Sequence, residues 1–285
     1  MRYSAPGSLA EALQELAANP DAVPLAGGTD LMVEVNFGRA RPERLLGLRR
    51  LDELRGLELD GRVRVGAGVT YTQLLTELGD STPALAQAAR TVGSPQIRNA
   101  GTLGGNLGTC SPAGDTLPVL AALEAEIVLR SPGGERRLKL AEFMRGPKKP
   151  DLRPGELVVA AEWEAAGPVQ AFLKVGTRNA MVIAVASLAL VIDRARRRVG
   201  LALGSVGPTI LRPEAAESFA AGLLEESGWE RPLRPPPAAA RRFGELAAAG
   251  AAPIDDVRGT AAFRRHAVAV LAERALIRIG AVTVA

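Results

Sequence analysis

The sequence predicts an α+β protein, because strand-like and helical segments follow one another without the strict alternation of a β–α–β fold. Residues 62–67 alternate between polar and apolar side chains, as a half-buried strand does. Three further strand-like runs follow residue 168, and alanine-rich helical sequence comes after them. With 285 residues, 47% hydrophobic and 23% charged, the chain is typical of a globular protein and long enough for two ordinary domains.

Capping residues predict where the helices begin. Segments 8–11 and 70–73 have the spacing of a capping box, and Pro83 stands where proline starts a helix. Asp115 precedes an apolar helical run, where it is typical of an N-cap. Segment 30–37 fits a helix and a strand equally well, so its structure stays open.

Strands are expected where apolar residues alternate with polar ones or where β-branched residues run together. A Pro-Gly-Gly turn at 132–134 makes a hairpin, and the charged run 193–198 makes a second one. Apolar residues at helical spacing predict a last helix over 263–279. The predicted strands are residues 23–26, 44–48, 62–67, 126–130, 135–140, 157–163, 171–175, 183–192 and 199–206.

Composition excludes several classes of site. Cys110 is the only cysteine, which rules out an intrachain disulfide and a cysteine-ligated iron–sulfur cluster or zinc finger. His266 is the only histidine, which rules out a multi-histidine metal site. The formal net charge of +4 gives little support for nucleic-acid binding. The longest apolar run, 181–192, is too short to span a bilayer, so a soluble, cytoplasmic protein is expected.

Two glycine-rich segments, 24–31 and 92–107, are predicted to form loops and are the main candidates for a binding site. Glycine allows positive φ and close approach of the backbone to a ligand, and successive amides can form an anion-binding nest. Each segment alone also fits an ordinary turn, and neither matches a Walker or G-x-G-x-x-G motif. Together they predict a ligand with more than one phosphate or a long polar spine.

Two charged residues are further candidates. The Asp115 carboxylate, nine residues beyond the second segment, can accept from ligand hydroxyls or act only as an N-cap. Lys174 lies in an apolar strand, where it can contact a ligand phosphate or ring, or face solvent.

Taken in order, the motifs resemble those of a known family. They are Ala-Gly-Gly-Thr-Asp at 26–30, Ser-Pro-Gln-Ile-Arg-Asn at 94–99, Gly-Thr-Leu-Gly-Gly-Asn-Leu at 101–107 and Ser-Pro-Ala-Gly-Asp at 111–115. In this combination the chain resembles, over essentially its whole length, the FAD-binding (medium) subunits of molybdenum hydroxylases of the xanthine dehydrogenase and carbon monoxide dehydrogenase type. The resemblance implies a two-lobed PCMH-type FAD-binding domain, residues 1–168 with lobes of about 1–55 and 56–168. A smaller C-terminal flavoprotein domain, 169–285, would follow, with a three-stranded antiparallel sheet and a helical bundle.

The resemblance also implies which residues hold FAD. Residues 24–31 would wrap the pyrophosphate, and 102–106 would lie on the second side of the cofactor. Asp115 would hold the sugar portion, whereas Val158 and Lys174 would line the flavin end. The implied set is Pro24, Leu25, Ala26, Gly27, Gly28, Thr29, Asp30, Leu31, Thr102, Leu103, Gly104, Gly105, Asn106, Asp115, Val158 and Lys174.

The flavin-stacking residue stays open. Single-chain relatives place a phenylalanine near the isoalloxazine ring, and Val92 stands at that position here. Tyr71 is either a neighbour of the ring or a core residue at a helix start.

As a function, the resemblance implies electron transfer within a larger oxidoreductase. Electrons would pass from molybdenum through iron–sulfur clusters to FAD, and then to NAD or another acceptor. Because the chain has one cysteine, the clusters are expected on an iron–sulfur subunit, with molybdopterin on a large subunit. FAD is expected to be noncovalent, since His266 lies far along the chain from the motifs. No catalytic or metal-binding residue is assigned.

Two alternatives remain at this stage. One is a stand-alone PCMH-type flavin oxidoreductase that acts on a small molecule. The other is an assembly subunit without flavin, against which the intact glycine segments argue.

Overall fold

The computed structural model describes residues 1–179 and 181–280 and has the predicted α+β architecture. The strands are β1 (Arg2–Ser4), β2 (Ala22–Leu25), β3 (Arg44–Gly47), β4 (Leu57–Asp60), β5 (Arg62–Gly66), β6 (Glu126–Ser131), β7 (Gly134–Lys139), β8 (Met144–Gly146), β9 (Lys149–Pro150), β10 (Leu157–Glu164), β11 (Gln170–Val175), β12 (Ala186–Asp193) and β13 (Arg198–Gly204). The helices are α1 (Leu9–Ala18), α2 (Leu31–Asn36), α3 (Tyr71–Glu77), α4 (Pro83–Thr91), α5 (Pro95–Ala100), α6 (Leu103–Thr109), α7 (Thr116–Ala122), α8 (Leu140–Phe143), α9 (Glu214–Ser227), α10 (Pro237–Ala249) and α11 (Ala261–Gly280).

The first sheet is parallel, with the strand order β1-β3-β2. Helix α1 connects β1 to β2, and the Ser8 hydroxyl accepts a hydrogen bond from the Glu11 amide at its start. Since parallel strands end at the same edge of a sheet, the residues after β2 and β3 lie side by side. The first glycine-rich segment therefore leaves the carboxyl edge of this sheet.

The second sheet is antiparallel, with the order β4-β5-β10-β6-β7. Its inner face buries apolar residues such as Val63 and Val65, whereas its outer face carries charged ones. There the buried Glu162 carboxylate pairs with three arginines, Arg62, Arg64 and Arg137. A β-bulge interrupts β10 between Val158 and Ala160, a device that re-aims side chains beside binding sites.

The third sheet, β11-β12-β13, is antiparallel as predicted and has helices on both faces. One face shares a core with the preceding part of the chain, while α9, α10 and α11 cover the other around Trp229 and Phe243. Strand β13 packs so closely on α7 that a Cβ at Gly200 would overlap the carbonyl oxygen of Ala122. No helix in the described ranges combines the length and apolar character that crossing a membrane requires.

The structure differs from the sequence prediction after Gly93. A continuous glycine loop was expected, but the chain forms the two short helices α5 and α6. Their N-caps are Ser94 and Thr102, whose hydroxyls accept hydrogen bonds from the amides of Ile97 and Gly105. Capping, together with the hydrogen bonds and close packing of Leu103 and Gly104 on the chain after β5, holds α6 in place despite the low helix propensity of its glycines. Segment 30–37, left open by the sequence, contains helix α2, and the last predicted strand pair begins at Ala186 rather than at residue 183.

Candidate functional site

A cleft of about 960 Å³ opens at the carboxyl edge of the first sheet. Its volume lies near the upper end of the range for ligand pockets, roughly 300–1,000 Å³. Every predicted cofactor residue lines this cleft except two, Leu103 and Lys174. Leu103 is fully buried in the core, and Lys174 lies behind Asp115. The fold thus brings together residues from distant parts of the chain.

The first segment presents unused backbone donors to the cleft. Among the described residues, the amides of 27–30 donate to no backbone or side-chain acceptor. Gly28 has a φ of +71°, which favours glycine, and a Cβ at Gly27 would overlap the carbonyl oxygen of Ala100 at the end of α5. The two glycines therefore let the segment turn and lie directly on α5. Successive free amides in a concave segment favour a bound anion.

The second segment has already used its donors. Leu103 N–H donates to the Val69 carbonyl at 3.0 Å, and Gly104 N–H donates to the Ala67 carbonyl at 2.8 Å. Gly105 N–H donates to the Thr102 hydroxyl at 3.0 Å. The expectation that 102–106 offers the same amide chemistry as 27–30 is therefore wrong at these three amides. Hydrogen bonding to Ala67 and Val69, just after β5, and to the N-cap Thr102 explains the difference.

What α6 offers instead is a stripe without side chains at Gly105 and Gly108. A Cβ at Gly104 would lie 2.5 Å from the Ala67 Cβ, so this glycine lets α6 approach the chain after β5. Gly105 and Gly108, one helical turn apart, are exposed and line the cleft. A ligand can thus lie close to the backbone of α6.

Asp115 and Lys174 form a buried ion pair at the back of the cleft. The Lys174 Nζ lies 2.6 Å from Asp115 Oδ2, and the two side chains are only 8% and 6% exposed. The Thr91 hydroxyl donates to the same Oδ2 at 3.0 Å. Asp115 caps α7 without a side-chain hydrogen bond, so its role as a plain N-cap and the solvent-facing placement of Lys174 are both wrong. Thr91 was missed, since its own sequence gives no signal for this contact.

The second oxygen of Asp115 has no partner. Oδ1 is buried and accepts no hydrogen bond within the described part of the chain, and the residue lines the cleft. Burial raises the pKa of this carboxyl, and the Lys174 ammonium and the Thr91 hydroxyl oppose that rise. An unpaired buried acceptor is costly, so a donor from a ligand would stabilise it.

Tyr71 and Val92 also line the cleft. The Tyr71 ring packs on Gly101, where a Cβ would come within 2.8 Å of it. Burial, and the carboxylates of Asp115 and Asp30, raise the pKa of the Tyr71 phenol, so it stays protonated. The Arg98 guanidinium holds the turn after α4 by donating to the carbonyls of Val92 and Gly93.

Two contacts that the sequence does not reveal join α2 to the opposite rim. Lys148 Nζ lies 3.0 Å from Glu34 Oε1, and the Thr109 hydroxyl donates to Asp30 Oδ2 at 3.1 Å. In each contact the two residues are far apart in sequence, so no local pattern predicts it. They hold the rims of the cleft together beside the first segment.

Neither Cys110 nor His266 is placed for chemistry in the cleft. Cys110 is fully buried next to the Gly146 carbonyl, and burial raises the pKa of its thiol to about 11. His266 lies exposed on α11 and does not line the cleft. No group of three metal-ligating side chains occurs among the residues that the structure describes.

Known proteins match the chain over both of its parts. The family described as "FAD binding domain in molybdopterin dehydrogenase" matches residues 1–162, and "CO dehydrogenase flavoprotein C-terminal domain" matches 171–279. The putative xanthine dehydrogenase FAD-binding subunit of Escherichia coli is 34% identical over 76% of this chain and 78% of its own length. The carbon monoxide dehydrogenase medium chain of Hydrogenophaga pseudoflava is 31% identical over 96% of this chain and 95% of its own.

The fold agrees with these matches. The solved structure of carbon monoxide dehydrogenase from Oligotropha carboxidovorans superimposes with a TM-score of 0.88 at 28% identity, covering 99% of this chain and 98% of that one. Family, relatives and fold therefore agree with the resemblance that the motifs suggested. The chain belongs to the FAD-binding subunits of the molybdenum hydroxylase family, the type represented by xanthine and carbon monoxide dehydrogenases.

Proposed function

We propose that the chain is the flavin-carrying electron-transfer subunit of a molybdenum-containing hydroxylase or dehydrogenase complex. When bound, FAD would relay electrons from iron–sulfur clusters on a partner subunit to NAD or another acceptor. The observation that carries the proposal is the row of free amides at 27–30, in a cleft that is also lined by Asp115, whose Oδ1 has no partner among the described residues.

The cleft fits FAD by the chemistry of its donors and acceptors. Amides of the segment 24–31 would bind the pyrophosphate, and Asp115 Oδ1 would accept from a hydroxyl of the sugar portion. The bare backbone of α6, from Thr102 to Asn106, would lie along the cofactor, with Val158 beside it. Lys174 would act from behind Asp115, and Leu103 would support α6 from the core. No described histidine or cysteine lies in the cleft lining, which favours a noncovalent complex.

We also propose that residues 1–168 are the FAD-binding domain, with lobes of about 1–55 and 56–168, and that 169–285 are the C-terminal domain. The first and second sheets fall within the two lobes, which supports this division. The two family matches end at 162 and begin at 171, on either side of the proposed boundary.

The partners are proposed from the relatives. Several of them are named as medium chains or FAD-binding subunits, so we propose that an iron–sulfur subunit and a molybdopterin-binding large subunit complete the complex. The relatives act on different molecules, which agrees with substrate choice by another subunit. We also propose that NAD or another molecule is the final acceptor of the electrons.

The test is purification of the tagged chain from its source, followed by an absorption spectrum and identification of what copurifies. Flavin bands at one FAD per chain and recovery of a molybdenum subunit are the expected results. A chain that binds no FAD after reconstitution contradicts the flavin proposal. A chain that keeps FAD, recovers no partner and oxidises a small molecule by itself supports the stand-alone alternative instead.

A further inference from the structure

The ion pair between Lys174 and Asp115 connects two parts of the molecule. Lys174 lies near the end of β11 in the third sheet, and Asp115 lies at the start of α7, beside the cleft. Lys174 Nζ also lies 3.4 Å from the Thr91 carbonyl oxygen at the end of α4. A buried charge that loses its partner is costly, so each member of this pair depends on the other.

The two oxygens of Asp115 have different surroundings. Oδ2 accepts from both the Lys174 ammonium and the Thr91 hydroxyl, at 2.6 and 3.0 Å. Oδ1 has no partner among the described residues and is inaccessible to solvent. The contacts on Oδ2 fix the rotation of the carboxylate, and this rotation determines where Oδ1 lies.

We infer that Lys174 is a positioning residue, which holds the Asp115 carboxylate from the third sheet so that Oδ1 accepts a hydrogen bond from a hydroxyl of the bound cofactor. The inference rests on the proposed function, because FAD supplies the hydroxyl. It means that packing of the third sheet and affinity for the cofactor are linked through one ion pair.

The electrostatics give the inference a distinctive pH dependence. The groups that face Asp115 are the Lys174 ammonium from β11, the Thr91 hydroxyl from α4 and the protonated Tyr71 phenol from α3. Burial already raises the pKa of Asp115, and Lys174 is the main influence that lowers it. Without Lys174 that pKa rises further. Binding that needs the carboxylate is present above this pKa and is lost as the pH falls through it.

The experiment titrates FAD into the deflavinated full chain between about pH 5 and about pH 9 and measures Kd by flavin fluorescence. In Lys174→Met, Kd is expected to match the wild-type value above the raised pKa and to rise as the pH falls through it, levelling off about tenfold higher, as in a protein with a neutral residue 115. Lys174→Arg keeps the charge and is expected to keep the wild-type profile. Asp115→Asn, which is neutral at every pH, is expected to bind roughly tenfold more weakly with a flat profile.

Two outcomes overturn the inference. One is a Lys174→Met protein that binds FAD like wild type at every pH. The other is a loss of affinity that is the same at every pH and that persists when Lys174→Met is added to Asp115→Asn, since this shows a purely structural role. If Lys174→Met does not fold, Thr91→Val provides the same test. In this variant the pKa of Asp115 is expected to rise as well, but by less than in Lys174→Met. Wild-type chain that binds no FAD at all contradicts the proposed function, which is a separate result.

Discussion

Residues 27–30 and residues 102–106 both line the cleft and both contain paired glycines, yet their backbones do different things. In the first segment four successive amides have no acceptor in the described chain. In the second, the three amides of the first helical turn donate to Val69, Ala67 and Thr102. The first segment is thus suited to bind charge, and the second provides shape.

The glycines differ in the same way. Gly28 has positive φ and turns the chain, whereas Gly104 has ordinary helical backbone and is needed because Ala67 lies against it. A glycine pair in a sequence therefore indicates that a ligand or another part of the chain lies close to the backbone. Only the fold shows which of the two it is.

The largest effect is expected for Gly28→Val. Valine at positive φ is strained by about 1–3 kcal/mol or more, and its side chain displaces the free amides from the cleft. We expect FAD affinity to fall by about 100-fold, which corresponds to about 2.7 kcal/mol. Titration of deflavinated protein with FAD measures this.

Gly61→Val is the matched control for Gly28→Val. Gly61 also has positive φ, at +65°, and a Cβ there meets no atom within 4 Å. The control is therefore expected to carry similar backbone strain and to bind FAD like wild type. Equal losses of affinity in both variants would show that strain, rather than the amides, causes the effect.

A smaller loss, roughly tenfold, is expected for Gly105→Val. The valine side chain would project from the exposed face of α6 into the cleft, but no amide donor to a ligand is lost there. Gly222→Val is the control for valine at an exposed helical glycine, because nothing lies near its Cβ, whereas a Cβ at Gly105 would lie 3.1 Å from the Thr102 hydroxyl. Normal FAD affinity in Gly105→Val would mean that the ligand does not lie against α6.

Much of this molecule is predictable from its sequence, and the comparison shows where prediction stops. Capping residues and hydrophobic periodicity are local signals, so α1, α3, α4 and most strands were placed correctly. Segment 92–107 is predicted to be a loop because its glycine content is a local signal. The contact of Gly104 with Ala67, which explains one of these glycines, joins separate parts of the sequence and gives no local signal.

The candidate site shows the same limit. Motif order identified the family, and the comparisons confirmed it. The pairing of Asp115 with Lys174, 59 positions away, depends on the third sheet packing on α4 and α7, which no local pattern reports. The salt bridge between Glu34 and Lys148 joins residues 114 positions apart, so no local pattern reports it either.

The smallest effect on binding is expected for Thr102→Val. The variant loses the hydroxyl that caps α6, which costs about 1 kcal/mol of the free energy of unfolding and lowers Tm by a few degrees, roughly 2–4 °C. FAD affinity should change by less than about threefold, since this hydroxyl serves the Gly105 amide rather than a ligand. Thr102→Ser keeps the acceptor and should restore the Tm. A loss of affinity above about tenfold at unchanged Tm would show that the second segment also binds the cofactor through polar contacts, and the distinction between the two segments would then fail.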